Sequence, residues 1–408
     1  MARPPLSTFD RRVAADRLAR ERLDVLVIGG GITGAGVLLD AAARGLNAGL
    51  VEREDFGSGT SSKSSKLIHG GLRYLQQREL RLVHENLVER QRLLHNAPHL
   101  VHPLPFLIPL FGTGGVVDQA VVRAYSLALW LYDASGGWRI GHRHRKISAE
   151  EVSAHLPTIR HDRLVAGFVY FDARADDARL TLCLVRTAAL DHGATALNHA
   201  EAVSLVRGRD GRVSGAVVAV SDLGGRTTEL EVRAKVVVNA AGVWADEVAT
   251  LDEPQRPGIL RPAKGIHLTV PRDKLPWDTA AVVPVSGDRR SIFVIPWGEH
   301  TYIGTTDTAY SGSLDHPGID SRDVSYLLDA VNSALSVPLR PADVTGAWAG
   351  LRPLLANVTA RNRRASERTA DLSRRHQVLV SPSGLVTVTG GKLTTYRKMA
   401  EDTVGAVT

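Results

Sequence analysis

Cysteine is almost missing from this sequence. Cys183 is the only one in 408 residues, so no intramolecular disulfide forms and no Cys-based metal cluster is available. Cys183 lies in an apolar stretch, 180–190, and is expected in the core rather than as a nucleophile. No apolar run approaches the roughly 18 to 20 residues of a membrane span. Residues 1–20 are arginine-rich, carry acids and have no apolar centre, so a secretory leader is not expected. There is no internal repeat, no low-complexity tract and no motif of a nucleic-acid-binding module. The net charge of +7 suits nucleic acid, an anionic membrane surface or an anionic small substrate, and selects none of them alone.

What is present is the apolar content of a folded protein, 44%, in a length that fits two or three domains. A hydroxyl near residues 6–10 reads as the cap of a short appended helix. Residues 23–28 form a β-branched run ending in glycines, which reads as a buried parallel strand. A helix over 32–44, closed by Gly45, and a second strand over 47–52 complete the opening of a βαβ unit. Helical spacing recurs over 80–94 and 116–132, and Ser148 with Glu151 makes a capping box. Between the first two of these, 99–109 is proline-rich and extended. A β-meander is expected over 195–234, with Asp210-Gly211 and Gly224-Gly225 as turns, followed by an apolar strand over 235–239. Strands over 266–270, 280–285, 291–295 and 301–304 predict an antiparallel sheet, with a helix over 322–335 upon it. A hairpin over 378–388 then leads to Gly390-Gly391-Lys392 and a last helix.

The dinucleotide signature is Gly29, Gly31 and Gly34 in a GxGxxG pattern, directly after a strand and before a helix. Glycines there permit a tight turn and close approach of a pyrophosphate to the helix N-terminus. Glu52 ends the second strand, where an acid accepts from ribose hydroxyls. Only one such fingerprint is complete, which favours a single flavin over a separate NAD domain.

Downstream runs Thr60-Ser61-Ser62-Lys63-Ser64-Ser65-Lys66-Leu67-Ile68-His69-Gly70-Gly71-Leu72-Arg73-Tyr74-Leu75. Hydroxyls and cations suit phosphate oxygens, glycines let backbone approach a ligand, and histidine exchanges a proton near neutral pH. Together with 176–180, 239–244, 264–265, 295–297, 303–307, 350–354 and 390–397, it resembles the FAD-dependent, quinone-linked glycerol-3-phosphate dehydrogenases. These are a branch of the D-amino-acid-oxidase-like flavoproteins, and the resemblance covers roughly residues 22–405.

The resemblance implies an α/β fold with a Rossmann-like FAD-binding domain and an antiparallel β-sheet substrate domain. The expected division is 1–22 as an extension, 23–110, 165–255 and 345–408 as the FAD domain, and 111–164 with 256–344 as the substrate-binding cap. It implies oxidation of sn-glycerol 3-phosphate to dihydroxyacetone phosphate, with electrons passed to a quinone pool. An amine or amino-acid oxidase and a non-catalytic flavin subunit are the rival readings. His69, Lys264 and Arg352 are the implied catalytic residues, and His69 either takes the proton or only packs beside the flavin. Arg73, Tyr74, Arg352, Arg374 and Lys392 are implied to bind substrate. The implied FAD contacts are Gly29, Gly31, Ile32, Thr33, Gly34, Glu52, Arg53, Thr60, Ser61, Ser62, Ser65, Lys66 and Leu67. Ala202, Val203, Ala240, Gly242, Trp244, Thr306, Asp307, Gly391, Lys392, Leu393 and Thr394 complete that set. Within 60–75, the serines and lysines are expected to face the cofactor, and 69–74 the substrate. No metal and no nucleic acid is expected, a homodimer is allowed, and the expected place is the cytoplasmic face of a membrane. Family members continue past Gly390-Gly391-Lys392 into a helical domain that this sequence, ending at Thr408, is expected to lack.

Overall fold

Two sheets share the work of the fold, one parallel and one mainly antiparallel. The structure is a computed structural model describing residues 10–72, 74, 79–112, 118–222, 224–285, 290–356 and 375–408. In chain order come α1 (Arg11–Arg20), β1 (Leu23–Ile28), α2 (Ile32–Ala43), β2 (Ala48–Val51), β3 (Leu67–Ile68), α3 (Leu80–Asn96), β4 (Val101–Phe111) and α4 (Gln119–Ala134). Next are β5 (Arg145–Ser148), α5 (Ala149–His155), β6 (Leu164–Ala175), α6 (Asp177–His192), β7 (Thr195–Leu197), β8 (Ala200–Arg207), β9 (Val213–Ser221) and β10 (Thr227–Asn239). Then follow α7 (Ala245–Thr250), β11 (Leu260–Pro271), β12 (Ala280–Pro284), β13 (Ser291–Trp297), β14 (His300–Gly304) and β15 (Thr308–Ala309). The last are α8 (Ser321–Asn332), β16 (Gly346–Leu355), β17 (Gln377–Val380), β18 (Val386–Thr389) and α9 (Tyr396–Val407).

In the first sheet β18, β10, β1, β2 and β7 run parallel, and β17 adds an antiparallel edge. Alternation along β1 divides its side chains between two cores. Val25 and Val27 join Leu38 of α2, Leu184 of α6 and Ala400 of α9. Leu26 and Ile28 join Leu18 of α1 and Val218 and Val232 of the meander. Both faces are therefore covered, which is why β1 reads as continuously apolar. Each such buried side chain contributes roughly 1.5–3 kcal/mol. The meander and the strand expected over 235–239 are one element. β10 pairs antiparallel with β9 over its first half and parallel with β1 from Ala234 onward.

The second sheet has the order β15-β11-β14-β13-β12-β4-β6-β3, with β16 on β11 and β5 on β6. One face is packed by α5 and α8 through Val152, Leu327 and Val331. The other is packed by α3 and α4 through Val83, Leu87 and Leu129. Three expectations change here. β4 and β6 belong to this sheet, as does β16, so its membership crosses the divisions expected at 110, 165 and 345. The sheet is not wholly antiparallel, because β12 pairs with β4 in parallel at Ala280 and Phe106. The cap of α1 is the Asp10 carboxylate, which accepts from Arg12 and Val13, rather than a hydroxyl. Pro103, Pro105 and Pro109 have the same parity in β4, so their missing donors fall along one edge of the strand.

Gly34 sets how closely α2 approaches the end of β1. A Cβ there would stand 1.9 Å from the Gly29 carbonyl oxygen. Gly34→Ala is expected to cost about 1–3 kcal/mol through overpacking and to weaken retention of flavin. Thermal melting and the flavin-to-protein absorbance ratio check this, and parental values for both would refute it.

Candidate functional site

The turn from β1 into α2 is built for backbone contact. Gly29 has φ +110°, and a Cβ on it would lie 2.7 Å from the Ala240 oxygen, so Ala240 and the turn are in direct contact. Gly31 is the N-cap of α2 and brings no side chain to it. The Ser61 hydroxyl accepts from Ile32 N at 2.8 Å, and Thr33 is half-buried in the same first turn. Gly242, at φ +60°, faces open space. Glu52 accepts from Gly30 N at 2.5 Å and Glu54 N at 2.8 Å. Burial nevertheless pushes its carboxyl above the usual range. A dinucleotide fits these features: amides at a helix N-terminus for pyrophosphate, an acid for ribose hydroxyls and room beside Gly242.

Around this turn, Arg53 lies over the Trp244 ring at 5.1 Å, and Trp244 Nε1 donates to Asp315 at 3.0 Å. Ala200 N donates to the Glu52 carbonyl at 2.8 Å. That places Ala202 and exposed Val203 just beyond, where the register of β8 shifts.

Segment 60–72 runs from this turn into the second sheet. Thr60 donates to the Leu351 carbonyl at 2.6 Å, and Ser62 bonds within its own turn to Gly59 and Ser58. Ser64 and Lys66 both bond the fully buried Asp177 carboxylate, Lys66 at 2.5 Å and with φ +54°. The expectation that the serines and lysines face the cofactor is therefore corrected in part. Ser62, Ser64 and Lys66 use their side chains to shape the segment itself. Leu67 is buried in β3, and Ser65 Oγ lies 2.8 Å from His267 Nε2.

The segment gathers two groups of residues expected at the substrate. The first is formed with the C-terminal motif. His69 N donates to Thr394 Oγ1 at 3.2 Å, and its ring meets Phe293 edge-on at 6.3 Å. Lys392 Nζ is 3.7 Å from the centre of the Tyr74 ring, a cation–π contact. Gly391, at φ +73°, leaves no room for a Cβ, which would meet Met399 Sδ at 2.4 Å. Leu393 packs half-buried against the first core. Arg73 and Arg374 lie outside the described residues. Arg375, the alternative in register to Arg374, pairs with Glu79 at 3.4 Å.

The second group surrounds Arg352. Its guanidinium donates to Thr305 Oγ1 at 3.1 Å, the Thr306 carbonyl at 3.2 Å and Asp307 at 3.3 Å. It lies over Gly265, whose Cβ would fall 2.5 Å from Arg352 Nη2. Thr306 is buried and accepts from Ile266 N. Lys264, expected as a catalytic cation, is engaged elsewhere. Its ammonium donates to Asp323 at 2.6 Å and the Gly318 carbonyl at 3.0 Å, tying β11 to α8. A buried Lys–Asp pair of this kind holds two elements together.

Sequence reasoning missed His267 and a buried cluster of Asn86, Arg90, Tyr132 and Asp172, and it gave Asp177, within the matched run 176–180, no role. The available signal was polarity out of place. Asp172 interrupts the apolar run of β6, His267 stands between Ile266 and Leu268, and Arg90 sits on the apolar face of α3. His267 stacks on Trp348 at 4.7 Å, and its Nδ1 is buried without a hydrogen-bond partner among the described residues. Burial first, then the charges of Arg352 and Lys66, lowers its pKa to about 3.

The family model described as FAD dependent oxidoreductase matches residues 24–397. The chain belongs to that family. Within it, the chain is 44% identical over 403 residues to "Glycerol-3-phosphate dehydrogenase 2" of Mycobacterium tuberculosis, covering 98% of this chain and 66% of the relative. It is 41% identical over 397 residues to the mitochondrial glycerol-3-phosphate dehydrogenase of Homo sapiens, covering 94% of this chain and 52% of that protein. A solved structure of the glycerol-3-phosphate dehydrogenase from Bacillus halodurans, complexed with FAD, superposes with a TM-score of 0.76. It is 36% identical and covers 98% of this chain and 67% of that one. The chain thus spans about half to two thirds of the length of the curated relatives it matches. The α/β flavoprotein fold and the FAD cofactor expected from sequence are those of this family.

His267 makes stability acid-sensitive. The unfolded histidine takes a proton near its reference value of 6.5, whereas the folded one resists until about 3. Its contribution is complete above pH 6.5 and is lost progressively as pH falls toward 3. Between pH 7 and pH 5 the loss is about 2 kcal/mol. Urea unfolding at the two pH values should show a shallower loss for His267→Asn than for the parent. Equal losses would contradict the assignment.

Proposed function

We propose that this chain oxidises sn-glycerol 3-phosphate to dihydroxyacetone phosphate. The observation that carries this reading is the contact of His69 with the 391–394 motif in a chain matched along 98% of its length by relatives bearing the glycerol-3-phosphate dehydrogenase name. FAD, when bound, supplies a two-electron acceptor for the hydride leaving C2 of the alcohol. The β1–α2 turn and Glu52 hold the pyrophosphate and ribose, which leaves segment 60–74 at the reacting end. Arg352 and Lys392 take the phosphate, the guanidinium as a fork and the ammonium as a point charge. Tyr74 lines the site beneath Lys392. His69 takes the hydroxyl proton as the hydride departs, so proton and hydride together leave a ketone. Its backbone bond to Thr394 and its contact with Phe293 hold the imidazole in place.

A quinone at a membrane surface is the terminal acceptor in this proposal. No helix among the described residues is long and apolar enough to cross a membrane. α4 instead exposes Val121, Leu127 and Trp130, at 42%, 60% and 63%, and Trp138 stands exposed nearby at 54%. Arg123 on the same helix is exposed as well. Exposed apolar side chains with an arginine among them suit the interface of an anionic bilayer.

Anaerobic mixing with sn-glycerol 3-phosphate should bleach the flavin. Bleaching by an amino acid instead would favour the amine-oxidase reading, and none by either would favour a non-catalytic flavin subunit. Arg352→Ala is expected to raise KM about 10- to 100-fold, the loss of one or two charge-assisted hydrogen bonds, while FAD stays bound. His69→Ala is expected to slow flavin reduction at saturating substrate by about 10²- to 10⁴-fold. Stopped-flow reduction at the parental rate would remove His69 from the role of base.

A further inference from the structure

Directly behind His69 lies a polar cluster closed to water. Asn86 and Arg90 come from α3, Tyr132 from α4 and Asp172 from β6, and all four are at most 1% exposed. Arg90 Nη1 donates to Asp172 at 2.7 Å, and its remaining bonds go to the carbonyls of Phe171 and Gly137, each at 2.9 Å. The Tyr132 hydroxyl donates to Asp172 at 2.7 Å. Burial first, then the Asp172 charge, keeps that hydroxyl protonated.

Apart from the bonds of Arg90, the outward bonds of the cluster meet at one residue, Gly70, through the N–H of the peptide before it and the C=O of the peptide after it. Gly70 N donates to Tyr132 Oη at 2.9 Å and to Asp172 at 3.2 Å, and Asn86 Nδ2 donates to the Gly70 carbonyl at 2.9 Å. A Cβ on Gly70 would lie 2.5 Å from Tyr132 Oη. Burying an ion pair costs several kcal/mol per ion, and well-packed apolar residues often serve stability as well or better. What apolar residues cannot do is grip both the N–H and the C=O of the residue after His69. Thr394 holds His69 from the other side.

We propose that Tyr132, Asp172 and Asn86 are positioning residues for His69, acting through Gly70. This rests on the glycerol 3-phosphate reading given above. Loss of the Tyr132 hydroxyl leaves substrate binding intact and misplaces the imidazole. A displacement near 1 Å costs up to about 100-fold in rate.

The test compares parent, Tyr132→Phe and Tyr170→Phe holoenzymes. Tyr170 packs edge-on against Tyr132, with ring centres 5.9 Å apart, and serves as the packing control. Two readouts are taken: hydrogen exchange of peptides covering residues 67–74 in the oxidised holoenzyme, and anaerobic flavin reduction by sn-glycerol 3-phosphate across pH. For Tyr132→Phe the expected result is faster exchange at Gly70 and a limiting reduction rate lower by about 10- to 100-fold. KM should stay within about twofold and the pH profile of the rate should shift. Tyr170→Phe should change neither exchange nor pH profile. Parental exchange and rate in Tyr132→Phe overturn the proposal, as does an equal slowing in both variants that tracks lost thermal stability. If Tyr132→Phe does not fold, Asn86→Ala removes the carbonyl grip without touching the ion pair, and the same split is required of it. A parent that sn-glycerol 3-phosphate fails to reduce refutes the substrate reading instead, and hydrogen exchange alone then decides whether the grip exists.

Discussion

A carboxylate removed from water must be met by other charges and dipoles, and several joints between elements are organised around such groups. Asp177 draws in Lys66 and Ser64. Asp172 draws in Arg90 and Tyr132. Glu89, at 2% exposure, receives a two-pronged bond from Arg397 at 2.9 Å, which ties α3 to α9. Asp323 receives Lys264. In each case the partner comes from a different element, so satisfying the charge fixes where the elements meet. Apolar packing alone would tolerate small slippage at these joints, whereas a buried ion pair does not. Segment 60–72 is held at two of these joints, by Asp177 and by the Asp172 cluster.

Local pattern made much of the fold legible. The strand–glycine–helix opening, the meander turns, the C-terminal hairpin and the helix of α8 are each written in a few adjacent residues. What could not be read was which sheet a strand joins. β4 and β6 fall almost wholly within the stretches expected in the FAD domain, yet they pair with each other, and β4 pairs with β12 across a long stretch of chain. Sheet membership is a non-local property, and periodicity carries no trace of it. β10 shows the same limit in reverse, since a change of pairing partner within one strand looked like two strands.

The site was legible by residue type more than by role. His69, Lys392, Thr394 and Tyr74 do come together, and Arg352 does meet Thr306 and Asp307. Lys264 and Lys66 look no different in sequence from ligand-binding lysines. Only the positions of Asp323 and Asp177 reveal which carboxylates their ammonium groups bond. Arg352 belongs to an intermediate class. Its charge is already shared with Asp307, so an arriving anion would exchange with a carboxylate rather than meet a bare cation. Exchange of that kind limits the desolvation cost of holding an arginine ready.

α4 joins two surfaces that share no side chain. Its outer side exposes Leu127 and Trp130, and near its end Tyr132 turns inward to the Gly70 N–H. An α-helix is stiff over four turns, and the interior around Tyr132 is close-packed. One stiff helix thus spans from an exposed apolar rim to the backbone next to His69, and a single tyrosine hydroxyl makes the inner contact.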